Sequence, residues 1–352
     1  MINRPTLIIS EKICRANIKR MAEKAISSGV SFRPHFKTHQ SVQVGEWFRE
    51  EGVEKITVSS AEMAVHFAAA GWKDITIAFP VNLRETDTYN ELALKIKLNL
   101  LTDSPEATEA LANSLSSALG IFIEVDCGYS RSGVPFPDHE RTEHILNVIR
   151  NSDKLIFKGF LTHSGNTYQA ANKHEVINIH HGTIMALHSL KGKYNNEFPD
   201  LLISIGDTPS CSLIENLSGA DEIRPGNFVF YDLMQFKQNI CEFDDLAVIV
   251  ACPVCGIYPE RKELLIYGGA VHFSKEFLEE DGRYYGLIVR YLDSGWSGPV
   301  PDTRLVSISQ DHGIIKTSDS FLSTVKHGDV LGIIPVHSCL TTNLLRENML
   351  IV

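Results

Sequence analysis

The feature that most narrows the possible folds is an alternation. From Ser31 to about Gly206, short β-branched runs take turns with longer amphipathic runs, the signature of repeated βα units around a parallel sheet. Strands are expected at Val30 to Phe36, Lys55 to Val58, Asp74 to Phe79, Ile96 to Leu101, Ile121 to Val125, Ile156 to Leu161 and Leu201 to Ile205, with a shorter one near Glu222. Between them lie helical runs at Ser41 to Glu51, Ala61 to Ala70, Pro105 to Ala118, His139 to Arg150 and Asn172 to Lys191, several opened by Ser, Asp or Pro. The pattern predicts an α/β fold, a (β/α)8 barrel of the TIM type.

After Phe228 the texture changes. The runs LAVIVACPVCGIY, ELLIYGG, YYGLIVRYL and DVLGIIPVHSC are short, β-branched and separated by Gly, Asp and Pro turns. They predict a C-terminal all-β domain. The division expected is a barrel over 11–234 and a β domain over 235–352, which residues 1–10 join through the strand-like Thr6 to Ser10. The length of 352 residues suits a barrel of ~250 residues with a second domain of ~100.

Composition removes whole classes of function. With 43% hydrophobic and 22% charged residues, the chain can build a sizeable core and is not disordered. Lys plus Arg total 33 against 43 Asp plus Glu, a net charge of −10, and no basic run tracks a phosphate backbone. Nucleic acid is not an expected partner. No stretch reaches the ~18 apolar residues of a membrane span, and the start lacks a signal peptide's basic-then-apolar order, so a cytoplasmic location is expected. Seven scattered cysteines are not a disulfide framework, and the CxxC pair Cys252 and Cys255, with no second pair to complete a zinc site, is expected to be buried and inert.

In a parallel barrel the chemistry gathers at the C-terminal strand ends. The first run ends in PHFKTH, placing Lys37 with His35 and His39. Another ends in DCGYSRSG, a third in THSGNTY and a fourth in GDTPS, where small residues offer backbone N–H groups to a phosphate. One strand-end histidine or aspartate is ordinarily a satisfied loop residue, but four such clusters share one rim. A lysine at a barrel mouth beside a phosphate loop suits Schiff-base chemistry, because burial and neighbouring cations lower its pKa. Lys37 is the candidate. In the C-terminal domain His337 and Cys339 stand two apart after an apolar run. If that run continues as a strand, both face one side and could reach one metal, with imidazole plus thiolate favouring zinc. Catalytic zinc commonly takes three protein ligands, and this spacing alone supplies two.

Together PHFKTH, EVDCGYSRSGV, THSGNTY, GDTPS, EIRPGNFVFYD and VHSC resemble the D-serine dehydratase and D-threonine aldolase family, fold-type III pyridoxal-phosphate enzymes of alanine racemase type. The motifs stand in the family's order and span nearly the whole chain. The resemblance implies that Lys37 carries pyridoxal 5'-phosphate, that Arg131 lies near the ring oxygen, and that Arg224 faces the pyridine nitrogen. It has Gly206, Asp207 and Thr208 hold the phosphate, and His35, His163, Tyr168 and Tyr231 complete the cofactor site. It places a metal at His337 and Cys339: zinc where the motif reads HxC, as here, and manganese or another divalent ion where it reads HxD. It further implies a homodimer with a shared active site and a small D-amino acid substrate.

The function implied is a lyase on D-3-hydroxy amino acids, most simply dehydration of the D-serine type to a 2-oxo acid and ammonia. In it Lys37 is the base at Cα and the metal takes the β-hydroxyl. The alternative is aldol cleavage of the D-threonine type to glycine and an aldehyde, with His312 as a candidate base. A racemase needs a second base that the sequence does not reveal, and a non-catalytic pyridoxal-phosphate binding protein is usually a barrel alone. Two departures from the family's pattern, Gln310-Asp311-His312 and the stretch Tyr267 to Lys275, bear on substrate preference.

Overall fold

The structure is a computed structural model that describes residues 2–292 and 295–352. Two compact units emerge. Of the described residues, one comprises 19–37 and 42–226, the other 2–18, 38–41, 227–292 and 295–352.

The first unit is a nearly closed parallel barrel. Its strands Ser31–Phe32, Lys55–Val58, Asp74–Pro80, Lys97–Thr102, Leu119–Asp126, Leu155–Thr162, Leu202–Ile205 and Glu222–Ile223 are neighbours in chain order, and the last pairs with the first. The remaining seam closes through a single bridge from His35 to Thr57. The first strand is shorter than the apolar run predicts because Pro34 has no N–H to give. Its neighbours still bond sideways: Arg33 N donates to Ile223 O and His35 N to Pro225 O, each at 2.9 Å, while Phe36 N donates to Thr57 O at 2.8 Å.

Helix starts follow local chemistry. Ser60, Ser104, Asp138 and Asn172 each accept from a backbone N–H in the first turn of the helix they precede. Packing fixes the segment before Lys37. The buried ring of Phe36 lies 5.1 Å from Phe48, 5.0 Å from Phe67 and 5.0 Å from Trp72, centre to centre. Gly45 permits this approach, since a Cβ there would sit 3.2 Å from the Phe36 ring.

A charged network unforeseen by the sequence reading ties the barrel together. Buried Arg33 donates to Glu222 Oε2 at 2.7 Å and to Asp74 Oδ1 at 2.6 Å, while Ser204 Oγ donates to Glu222 Oε1 at 2.8 Å. Glu222 is 0% exposed, and these partners take up both of its carboxylate oxygens. Arg33→Ala is expected to cost about 3–5 kcal/mol in denaturant unfolding, the cost of stranding a buried charge. A loss under about 1 kcal/mol would show that the network is not a structural tie.

The second unit is antiparallel. Strands Glu263–Tyr267, His312–Lys316, Gly295–Ile308, Gly286–Leu292, Val330–Pro335 and Val248–Tyr258 pair in that order, and the last returns to the first to close a small barrel. Thr6–Ile9 runs antiparallel to Val248–Tyr258, and Met349–Ile351 runs parallel to Thr6–Ile9. Cys252 and Cys255 lie on one strand, but a separation of three puts them on opposite faces. Cys252 is buried, and Cys255 is exposed where burial was expected. Among the described residues no helix is long and apolar enough to cross a membrane.

Candidate active site

The parallel order places the ends of all eight barrel strands at one mouth, where four of the sequence clusters meet. Lys37 follows the bridge residue His35, and its backbone N approaches His35 Nδ1 at 3.4 Å. The loop after Leu119–Asp126 is wound by one carboxylate. Asp126 Oδ1 accepts from Gly128 N, Tyr129 N and Ser130 N at 2.9, 2.8 and 3.0 Å, and Ser130 takes a left-handed φ of 59°. The loop presents an exposed Arg131, its guanidinium 5.4 Å from the Tyr129 ring centre.

His163 ends the next strand turn with its Nδ1 bonded to Gly206 O. A carbonyl only accepts, so Nδ1 carries the proton. Burial, then Lys37 and Arg131, push His163 down to about 3, and burial with Lys37 and Arg224 pushes His35 well below the ordinary range. Two neutral imidazoles therefore stand among Lys37, Arg131 and Arg224. Such a field is the electrostatic complement of an anionic phosphate and phenolate.

Arg224 is buried, donating from Nε to Ser204 Oγ at 2.8 Å and from Nη2 to Thr162 O. Burial lowers it to about 10 against the pull of Glu222 and Glu124, which leaves it a cation at neutral pH. A guanidinium only donates. It therefore suits an unprotonated acceptor such as a ring nitrogen.

In the Gly206–Ser210 turn, Thr208 N donates to Tyr168 Oη at 3.1 Å. The buried Asp207 carboxylate accepts from Ser210 N at 2.6 Å and from Thr167 Oγ1 at 3.0 Å, with burial raising it to about 6. Asp207 thus shapes the turn as a helix cap, and its contribution toward an anion is that shape. Glu124 was missed by the sequence reading. It is buried on the same strand as Asp126, accepts from Ser132 Oγ at 3.0 Å, and among the described residues its buried Oε2 has no hydrogen-bond partner.

The second unit carries the other candidates. Tyr231 is buried there with a φ of 49°. His312 is exposed at the start of its strand, opposite Tyr267. His337 and Cys339 are not on a strand, as the apolar run suggested. The strand ends at Pro335, His337 occupies the N-cap, and Cys339 lies in the first turn of the helix Ser338–Leu345. Asp232 makes the difference: its Oδ2 accepts from Ser338 N at 3.0 Å and Ser338 Oγ at 3.3 Å, capping the helix from 106 residues away.

The two side chains still converge, near enough that each shifts the ionisation of the other. His337 Nδ1 pairs with Glu276 Oε2 at 3.0 Å, which leaves Nε2 as the nitrogen able to ligate. Cys339 Sγ lies 3.3 Å from Thr38 Oγ1 and receives Asn227 Nδ2 at 3.5 Å. Burial opposes charge on both, yet Cys339 and Glu276 raise His337 to about 11, while His337 and Thr38 lower Cys339. Among the described residues no group of three His, Cys, Asp or Glu forms a metal cage. The donor set fits a soft divalent ion held by two protein ligands, with its other positions open to small molecules.

Matches to known proteins identify the family. Residues 9–233 match the model of the alanine racemase N-terminal domain. The chain belongs to that family. It is the fold-type III pyridoxal-phosphate family, and residues 247–351 also match a putative serine dehydratase domain. A D-serine dehydratase of Dictyostelium discoideum is 29% identical over 98% of this chain and 92% of its own. The solved D-threo-3-hydroxyaspartate dehydratase of Delftia sp. superposes with a TM-score of 0.88 at 27% identity, covering 98% of this chain and 93% of that one. A cysteine-to-alanine mutant of that enzyme is solved in a metal-free form. A 3-hydroxy-D-aspartate aldolase of Paracoccus denitrificans is 24% identical over 97% of this chain and 87% of its own. This family member is a lyase, of a group whose named relatives act on D-amino acids.

Proposed function

We propose that the chain is a pyridoxal-phosphate- and zinc-dependent dehydratase of D-3-hydroxy amino acids, releasing a 2-oxo acid and ammonia. The observation that carries it is the convergence of His337 with a cysteine, where a carboxylate would serve a harder ion. The metal-free structure of a relative's cysteine mutant supports the same reading.

Lys37 would hold the cofactor, His163 and Tyr168 would flank its ring, and Arg224 would donate to the ring nitrogen. Arg131 would meet the ring oxygen, and the Gly206–Thr208 turn the phosphate. The bound cofactor supplies an electron sink for charge developing at Cα, and the metal a Lewis acid for a departing hydroxide. Lys37 Nζ takes the Cα proton. His163, neutral and pinned through Nδ1, can orient the ring without competing for that proton. The family's named members leave aldol cleavage as the second reading, favoured by the aldolase relative. The proposal includes a homodimer, as the family resemblance implies, and a cytoplasmic location.

Metal removal tests the proposal. Oxo acid formation from D-serine by the cofactor-loaded protein is expected to fall to background after chelation and to return on adding zinc. Oxo acid formation indifferent to chelation would contradict the metal's part in the reaction.

A further inference from the structure

The hydrogen bonds around Cys339 converge on a residue that no sequence motif singled out for a role. Asn227 is 5% exposed, and the two N–H groups of its Nδ2 serve three acceptors, Asp232 Oδ2 at 2.7 Å, Ser338 Oγ at 3.0 Å and Cys339 Sγ at 3.5 Å, so one N–H is shared between two of them. Its orientation is fixed by chemistry. A carboxylate such as Asp232 only accepts, so the amide nitrogen must face it. The same Asp232 oxygen accepts from Ser338 N, and Oδ1 accepts from Gln235 N at 3.2 Å. One buried carboxylate therefore clamps together the asparagine and the helix turn that bears Cys339.

We infer that Asn227, anchored by Asp232, is a positioning residue that holds Cys339 toward a bound metal by donating to its sulfur. The inference rests on the reading of His337 and Cys339 as metal ligands. Asn227 is a poor candidate for a purely structural role. Among the described residues its buried Oδ1 has no hydrogen-bond partner, whereas buried amides kept for packing ordinarily satisfy both ends. A ligand's outer hydrogen bonds orient its lone pairs and commonly change metal affinity 10- to 100-fold. Thr38, 3.3 Å from the same sulfur, supplies a second contact from another segment, so Asn227 directs the sulfur without being its sole support.

The experiment uses the full-length, cofactor-loaded protein with cobalt(II) in place of zinc. Asn227→Leu keeps the branched heavy-atom skeleton and removes the N–H. It should raise the metal dissociation constant roughly 10- to 100-fold in chelator competition. It should also move the sulfur-to-cobalt charge-transfer band to lower energy, because the lost N–H no longer stabilises the sulfur lone pair. The visible absorbance of the Lys37-linked cofactor should be unchanged. Affinity within about twofold of the parent together with an unshifted band would overturn the inference. If Asn227→Leu does not fold, Asp232→Asn carries the test, with a smaller loss and the same direction of band shift expected, and no change overturning it. Cys339→Ala separates the two levels. Metal retained there defeats the ligand assignment itself, while metal lost there but kept in Asn227→Leu defeats only the role of Asn227.

Discussion

Lys37→Ala should abolish the visible absorbance of the cofactor-loaded protein and lower turnover by at least about 10²–10⁴-fold, the range that a positioned base contributes. Both losses have one origin. The amine that anchors the cofactor is also the group proposed to take the Cα proton, and the neighbouring imidazoles cannot replace it. His163 is held near 3 and His35 is pushed below its ordinary range, each first by burial and then by Lys37. At neutral pH both are neutral, His163 already donates Nδ1–H to Gly206 O, and neither imidazole has the primary amine that a covalent link to the cofactor's aldehyde requires. Persistence of the visible band in Lys37→Ala would assign the cofactor to another amine.

Cys339→Ala should release the metal, raising its dissociation constant by more than about 100-fold, since changes to outer partners alone cost 10- to 100-fold. His337 would then be the single strong protein donor, and dehydration should fall with metal content. Cys339→Asp should weaken zinc retention while tolerating manganese, because a carboxylate suits the harder ion. A shift of product toward glycine in that variant would tie the reaction branch to this one side chain. Zinc content unchanged in both variants would remove Cys339 from the metal site.

The fold was legible where local chemistry decides it. Lys55–Val58 and His139–Arg150 lie at their expected bounds because a β-branched run and a capped amphipathic run each specify their own state. The rim clusters were legible for a related reason: in a parallel barrel, the residues after each strand share one mouth whatever the packing between. The helix at Ser338 was not legible. Its cap comes from Asp232, 106 residues earlier, and no local signal separates it from a continued strand. Glu276 beside His337, Asn227 beside Cys339 and Arg33 between Glu222 and Asp74 were hidden for the same reason. Each acts through a partner that only the tertiary fold brings within reach. Asp207 adds what its position in the loop did not show, a carboxylate that caps the turn whose backbone is expected to hold the phosphate.

The measurement that bears most directly on the central claim is product analysis of the zinc- and cofactor-loaded protein incubated separately with D-serine and D-threonine. A 2-oxo acid and ammonia, without glycine, are the predicted products. Glycine with an aldehyde would contradict the dehydratase reading and place the chain with the aldolases, with Cys339 no longer a marker of the reaction.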